Sequence, residues 1–117
     1  MRNYKELKIW QNAMQIGKET YEIVNTLPAV ENYGLRSQMT RAAVSISSNI
    51  AEGSSRSSDK DFKRFLEIAL GSCFELETQT ILANELGLIE ENKTEMLLSS
   101  ITEEQKMISG FIKKLSA

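Results

Sequence analysis

An all-α fold is what these 117 residues predict, as an antiparallel up-and-down bundle of four helices. Three observations carry it. Apolar residues recur at three- and four-residue steps through four segments, the chain holds one proline, and the links between segments are short. The alanine, leucine, glutamate and lysine content favours helix as well. The whole chain, 1–117, fits a single domain, and at this size self-assembly contributes to stability.

The first helix is expected over about 5–27, with Leu7, Trp10, Met14, Gly17, Tyr21 and Val24 as its inward seam. Asn3 and Glu6 form a capping pair at its start. Pro28 stops it, because the residue before a proline is pushed out of the α region. Gly17 inside the seam predicts close approach of a neighbouring helix. The second helix spans about 33–52, with Leu35, Met39, Ala42, Ala43, Ile46 and Ile50 inward, and Gly53 and the serines after it as terminator and hinge.

Ser58 and Asp61 open a third helix over about 58–86, closed by Gly87. Its inward stripe reads Phe62, Phe65, Leu66, Ala69, Ser72, Cys73, Leu76, Thr80 and Ala83, widened by Ile68, Ile81, Leu82 and Leu86. So wide an apolar surface needs more than one partner. The fourth helix, about 92–115, places Leu97, Ile101, Ile108, Phe111 and Leu115 inward and Glu95, Glu103, Glu104, Lys113 and Lys114 outward.

Cys73 has no partner for an internal disulfide, and no segment approaches the roughly 18 apolar residues of a membrane span. A reduced, cytoplasmic setting without a membrane partner is the expectation, with Cys73 a small buried hydrophobe. Net charge is −2, unevenly spread: residues 1–66 hold ten Lys/Arg against seven Asp/Glu, and 67–117 hold four against nine.

Histidine is absent, which removes the commonest general base and metal ligand, and every Ser-His or Cys-His nucleophile within the chain. The glycines are too scattered for a phosphate-binding loop. The reading is therefore non-enzymatic, with no catalytic residue, metal or cofactor. A carboxylate-only cation site at Glu52, Glu67, Glu75 and Glu77 is the remote alternative.

One pattern asks for a partner. Gln38, Arg41, Ser45, Asn49 and Glu52 follow at three- and four-residue steps and share one side of the second helix. The bland reading, which is the favoured one, is a structural polar network of Arg41, Ser45, Asn49 and Glu52, with Glu75 on the third helix as the counter-charge for a buried Arg41.

At these residues a family resemblance becomes specific. The blocks LKIWQNA, YGLRSQMTRAAVSISSNIAEG and FLEIALGSCFELETQ resemble the bacterial four-helix-bundle proteins encoded in 23S ribosomal RNA intervening sequences, also called S23 ribosomal protein-like. The resemblance spans nearly the whole chain. It implies a bundle that assembles as a homopentamer, similar also to accessory variability proteins of diversity-generating retroelements, which bind nucleic acid through a basic surface. This chain departs from those in its acidic overall balance.

The resemblance and the basic first half together point to a homo-oligomeric adaptor that binds structured RNA or DNA, or a nucleic-acid-processing protein. Arg2, Lys5, Lys8, Arg36, Arg56, Lys60, Lys63 and Arg64 are the candidate contacts, multiplied by assembly. The alternative is a purely structural or protein-binding module that uses its surplus apolar surface to self-associate.

Overall fold

The computed structural model describes residues 2–116, which form four α-helices and no strand among them. They are α1 (Lys8–Val24), α2 (Leu35–Ser54), α3 (Asp59–Glu85) and α4 (Glu91–Ser116). Each helix packs on two neighbours: α1 on α2 and α4, α3 on α2 and α4. The body measures 43 × 23 × 20 Å.

Local chemistry sets the helix ends. Ser58 Oγ accepts from the Asp61 N–H at 3.1 Å and starts α3, with Asp59 and Asp61 in the first turn favoured by the helix dipole. Gly87 ends it at φ +71°. Its N–H donates to the Asn84 carbonyl at 3.0 Å, and the Leu88 N–H reaches the Ala83 carbonyl at 3.0 Å. This pair of bonds satisfies carbonyls that the helix itself leaves open, in a left-handed conformation that glycine adopts without strain.

Three local expectations are corrected. The first helix is split: Asn3 Oδ1 caps a short 3₁₀ turn, Tyr4–Glu6, and Leu7 is extended before α1 begins. α1 also ends at Val24, ahead of Pro28, because the Thr26 and Leu27 N–H groups bond back only three residues, to Ile23 and Val24. Gly53 is no terminator. It lies buried within α2, where a Cβ would stand 2.6 Å from Phe65 Cβ, so it is the residue that lets α3 approach.

The core joins all four helices through residues such as Ile16, Met39, Ile46, Phe62, Leu66, Leu76, Leu97, Ile101 and Ile108, and Cys73 lies within it. Most of the α2 and α3 stripes lie where their spacing puts them. The α1 seam does so only in part, with Val24 buried and Leu7 and Trp10 half-buried against the core: Ile9, Ala13, Ile16, Thr20 and Ile23 also face the core, while Met14 and Tyr21 are 38 and 51 % exposed. Two interleaved stripes satisfy the same helical period on α1, and the mainly aliphatic one is buried, with Thr20 Oγ1 donating to the Ile16 carbonyl at 2.7 Å. Gly17, on the outer stripe, has open space where a Cβ would project. On α3, Ile68, Ile81 and Leu82, with Leu86 just past its end, stay exposed instead of widening the core contact.

Glu104 is the sharpest correction. Assigned to the outer face of α4, it is 0 % exposed. Its place in the row Leu97, Ile101, Glu104, Ile108 and Phe111 continues the inward three-and-four spacing, so position overrode side-chain type.

Candidate functional site

The first residues of the chain tie one end of the helical body together. The Arg2 N–H donates to the Ser54 carbonyl at 3.1 Å, at the end of α2, and its guanidinium meets Asp59 Oδ1 at 3.2 Å, at the start of α3. The same guanidinium lies 4.8 Å from the Phe62 ring centre and 5.9 Å from that of Phe111 on α4. Phe62 and Phe111 stack edge-to-face at 5.4 Å. Arg2 is therefore a strap across three helices, and its charge is already engaged.

Arg2, Lys5, Lys8, Arg56, Lys60, Lys63, Arg64, Lys106, Lys113 and Lys114 all lie toward this end, ten of the 14 cations in the chain. Of the eight candidates expected from sequence, seven are here. Arg36 sits at the other end, where its Nη1 donates to Asn25 Oδ1 at 3.3 Å. The seven divide by occupation. Arg56 pairs with Glu52 at 3.2 Å and lies 4.9 Å from the Phe65 ring centre, and Arg64 pairs with Asp61 at 3.8 Å. Lys5, Lys8 and Lys60 are exposed, Lys5 with its Nζ 5.9 Å from the Tyr4 ring centre, Lys63 is half-buried, and none of the four is in an ion pair among the described residues. Exposed pairs of this kind are worth little and exchange readily for other anions.

Sequence reasoning left out Lys106, Lys113 and Lys114. The signal was their place in the second half of α4, which the contact of Arg2 with Phe111 brings beside the start of α1. Lys8, Lys106 and Lys114 edge one shallow groove floored by Ile9, Met107 and Phe111.

The polar stripe of α2 is assembled differently from the expectation. Ser72 Oγ on α3 donates to Ser45 Oγ at 2.8 Å, and Asn49 Nδ2 donates to the Ser45 carbonyl at 2.8 Å and to its hydroxyl at 3.0 Å. Ser45 and Asn49 thus fix the register of α2 on α3 with neutral groups. Arg41 and Glu75 are both exposed and make no ion pair with each other, and Glu52 turns to Arg56. A buried Arg41–Glu75 bridge would have cost more in desolvation than the serine pair does. Glu77 accepts from Gln105 Nε2 at 3.2 Å, while Glu67 and Glu75 are exposed. Among the described residues no three acidic or thiol groups are arranged to hold a metal ion.

A titratable group of the interior is on α4. Asn12 Nδ2 on α1 donates to Glu104 Oε1 at 3.0 Å and to the Ser100 carbonyl at 3.2 Å, while Glu104 Oε2 has no hydrogen-bond partner. Burial pushes the Glu104 carboxyl up to about 8, with the Asn12 hydrogen bond opposing and the Glu103 charge reinforcing the shift. Burial, with Glu104 and Glu77 nearby, pushes the Cys73 thiol up to about 12, so it carries no thiolate near neutral pH.

No helix among the described residues is long and apolar enough to cross a membrane. No curated protein matches the chain. Among solved structures it is similar to a protein of unknown function from the S23 ribosomal protein family of Bacteroides thetaiotaomicron VPI-5482. That protein shares 25% identity over 90% of this chain and 98% of that one, with a TM-score of 0.80. The model of the 23S rRNA-intervening sequence protein family matches residues 5–110, nearly the full length, and the chain belongs to that family.

Proposed function

We propose that this protein is a non-enzymatic cytoplasmic adaptor, built as an antiparallel up-and-down bundle and assembled as a homopentamer, that binds structured RNA through its cation-rich end. The observation that carries the reading is the gathering of ten of 14 cations toward one end of a chain whose net charge is −2. One protomer has modest attraction for phosphate. Assembly repeats the end several times, so that weak contacts add through effective concentration.

The test is binding of a labelled RNA hairpin at low salt, by the protein and by the combined Lys60→Ala, Lys63→Ala and Arg64→Ala variant. Binding should weaken about tenfold or more in the variant. The dependence on log salt should flatten by about 0.7–0.9 for each phosphate contact removed. No binding at low salt, or equal binding by both proteins, ends the reading.

A purely protein-binding or structural module is the second reading, supported by the apolar side chains left in solvent on α1, α2 and α3: Met14, Tyr21, Val44, Ile68, Phe74 and Leu82. Sedimentation of an oligomer that ignores RNA would favour it.

A further inference from the structure

The groove between the start of α1 and the second half of α4 has a composition that phosphate binding does not account for. Its floor is apolar, formed by Ile9, Met107 and Phe111, and its volume is about 490 Å³. Lys8, Lys106 and Lys114 stand around that floor with no carboxylate lining it, and none of the three makes an ion pair among the described residues. Charges of one sign gathered over apolar surface are complementary to a ligand with apolar groups inside and carboxylates outside.

The row along α4 sharpens the shape. Lys106, Gly110 and Lys114 fall at i, i+4 and i+8, so the two ammonium groups stand two turns apart, about 12 Å along the axis. Gly110 between them leaves a notch, since a Cβ there would meet nothing within 4 Å. A side chain from outside reaches the floor through that notch. A phosphate backbone would satisfy the lysines and leave the half-buried Met107 and Phe111 uncovered; an α-helix with a leucine-sized anchor and flanking carboxylates two turns apart satisfies both.

We propose that this groove docks an acidic amphipathic helix of a partner protein. The groove lies at the same cation-rich end but is lined by none of Lys60, Lys63 and Arg64, the residues replaced in the RNA test, so the two tests use different variants.

The probe is a panel of labelled helical peptides with a leucine stripe flanked by glutamates two turns apart, titrated into the full chain by fluorescence anisotropy. A matched panel carries glutamine in place of every glutamate. The glutamate panel should bind at least tenfold tighter than the glutamine panel, and Lys106→Glu with Lys114→Glu should abolish binding. Gly110→Leu puts a side chain into the notch from a Cβ that meets nothing within 4 Å, and should weaken binding tenfold while keeping or raising the melting temperature, because leucine is the better helix former. Equal binding of the two panels, or unchanged binding by Gly110→Leu, overturns the proposal. So does loss of RNA hairpin affinity on Lys106→Glu with Lys114→Glu when neither panel binds, which assigns the groove to nucleic acid.

Discussion

The two ends of this helical body are built on different terms. At the cation-rich end, Arg2 crosses from Ser54 and Asp59 to the Phe62 and Phe111 rings, and Gly53 lets Phe65 close against α2. At the other end, Glu22, Glu85, Glu90, Glu91 and Glu95 gather, and Val30 and Tyr33 stand 84 and 98 % exposed in the α1–α2 link. Cations and a close helix–helix approach meet at one end, carboxylates and uncovered apolar side chains at the other. A cationic surface held on closely packed backbone loses little freedom when it meets a ligand, which is what a binding end requires. Between the ends, Asn12 and Glu104 place a titratable group in the core.

The largest expected effect is at that middle layer. Glu104 has its folded pKa raised from 4.5 to about 8. The stability it allows is therefore fully present below pH 4.5, falls as the unfolded chain loses the proton that the folded chain keeps, and levels off above about pH 8. At about 1.4 kcal/mol per unit, the fall across the window approaches 5 kcal/mol. Glu104→Gln retains an acceptor for Asn12 and removes the ionisation. Its unfolding free energy should match the parent near pH 4 and exceed it by several kcal/mol at pH 8. Urea titrations that stay parallel across that range would place Glu104 in contact with water and dissolve the contrast between middle and ends.

Packing at the cation-rich end is broken next most strongly by Gly53→Ala. Alanine gains about 1 kcal/mol of helix propensity over glycine. The added carbon would lie 2.6 Å from Phe65 Cβ and 2.9 Å from Phe62 Cδ1, atoms near enough to the backbone that α2 and α3 must separate. Overpacking of this kind costs about 1–3 kcal/mol, and a distance this short belongs at the upper limit, so a net loss of about 2 kcal/mol is expected. Gly17→Ala is the control, since nothing meets its Cβ. It should gain about 1 kcal/mol. A stabilising Gly53→Ala would show that the end is more loosely closed than the distances imply.

These two glycines also mark how far the sequence could be read. Gly17 was expected to admit a neighbouring helix and Gly53 to end one, yet Gly53 is the one that admits a helix and Gly17 meets nothing. Spacing put Gly17 on a helical face and the serines after Gly53 made it read as an end, and only the partner helix decides which glycine is approached closely. The α2 stripe was legible because few apolar residues off it compete with Met39, Ala43, Ile46 and Ile50, whereas on α3 the stripe of Leu66, Ala69, Cys73 and Leu76 was legible but widened by Ile68, Ile81 and Leu82, which the core leaves exposed. On α1, Trp10, Met14 and Tyr21 are larger and competed with the aliphatic stripe that the core selected. For Glu104, its type argued for the surface and its spacing for the core. At the candidate site, residue type located the cations but not their engagement: Arg2 and Lys8 are near neighbours in sequence, yet one is tied to Asp59 and two rings and the other is open.

The smallest effect is expected at the opposite end. Val30 and Tyr33 bury almost nothing in the protomer, so replacing both with serine should change its unfolding free energy by less than about 0.5 kcal/mol. Under the same conditions Gly53→Ala loses several times that. The pair becomes informative when protein concentration is raised. Apolar side chains exposed this fully are covered in an assembly or remain in water, and only the first makes stability depend on concentration. If sedimentation shows the serine variant dissociating at concentrations where the parent stays assembled, the carboxylate-rich end is an interface and the exposure of Val30 and Tyr33 belongs to the isolated protomer alone. If both proteins sediment alike, that end faces solvent, and the contrast with the closely packed cationic end holds in the assembly as well.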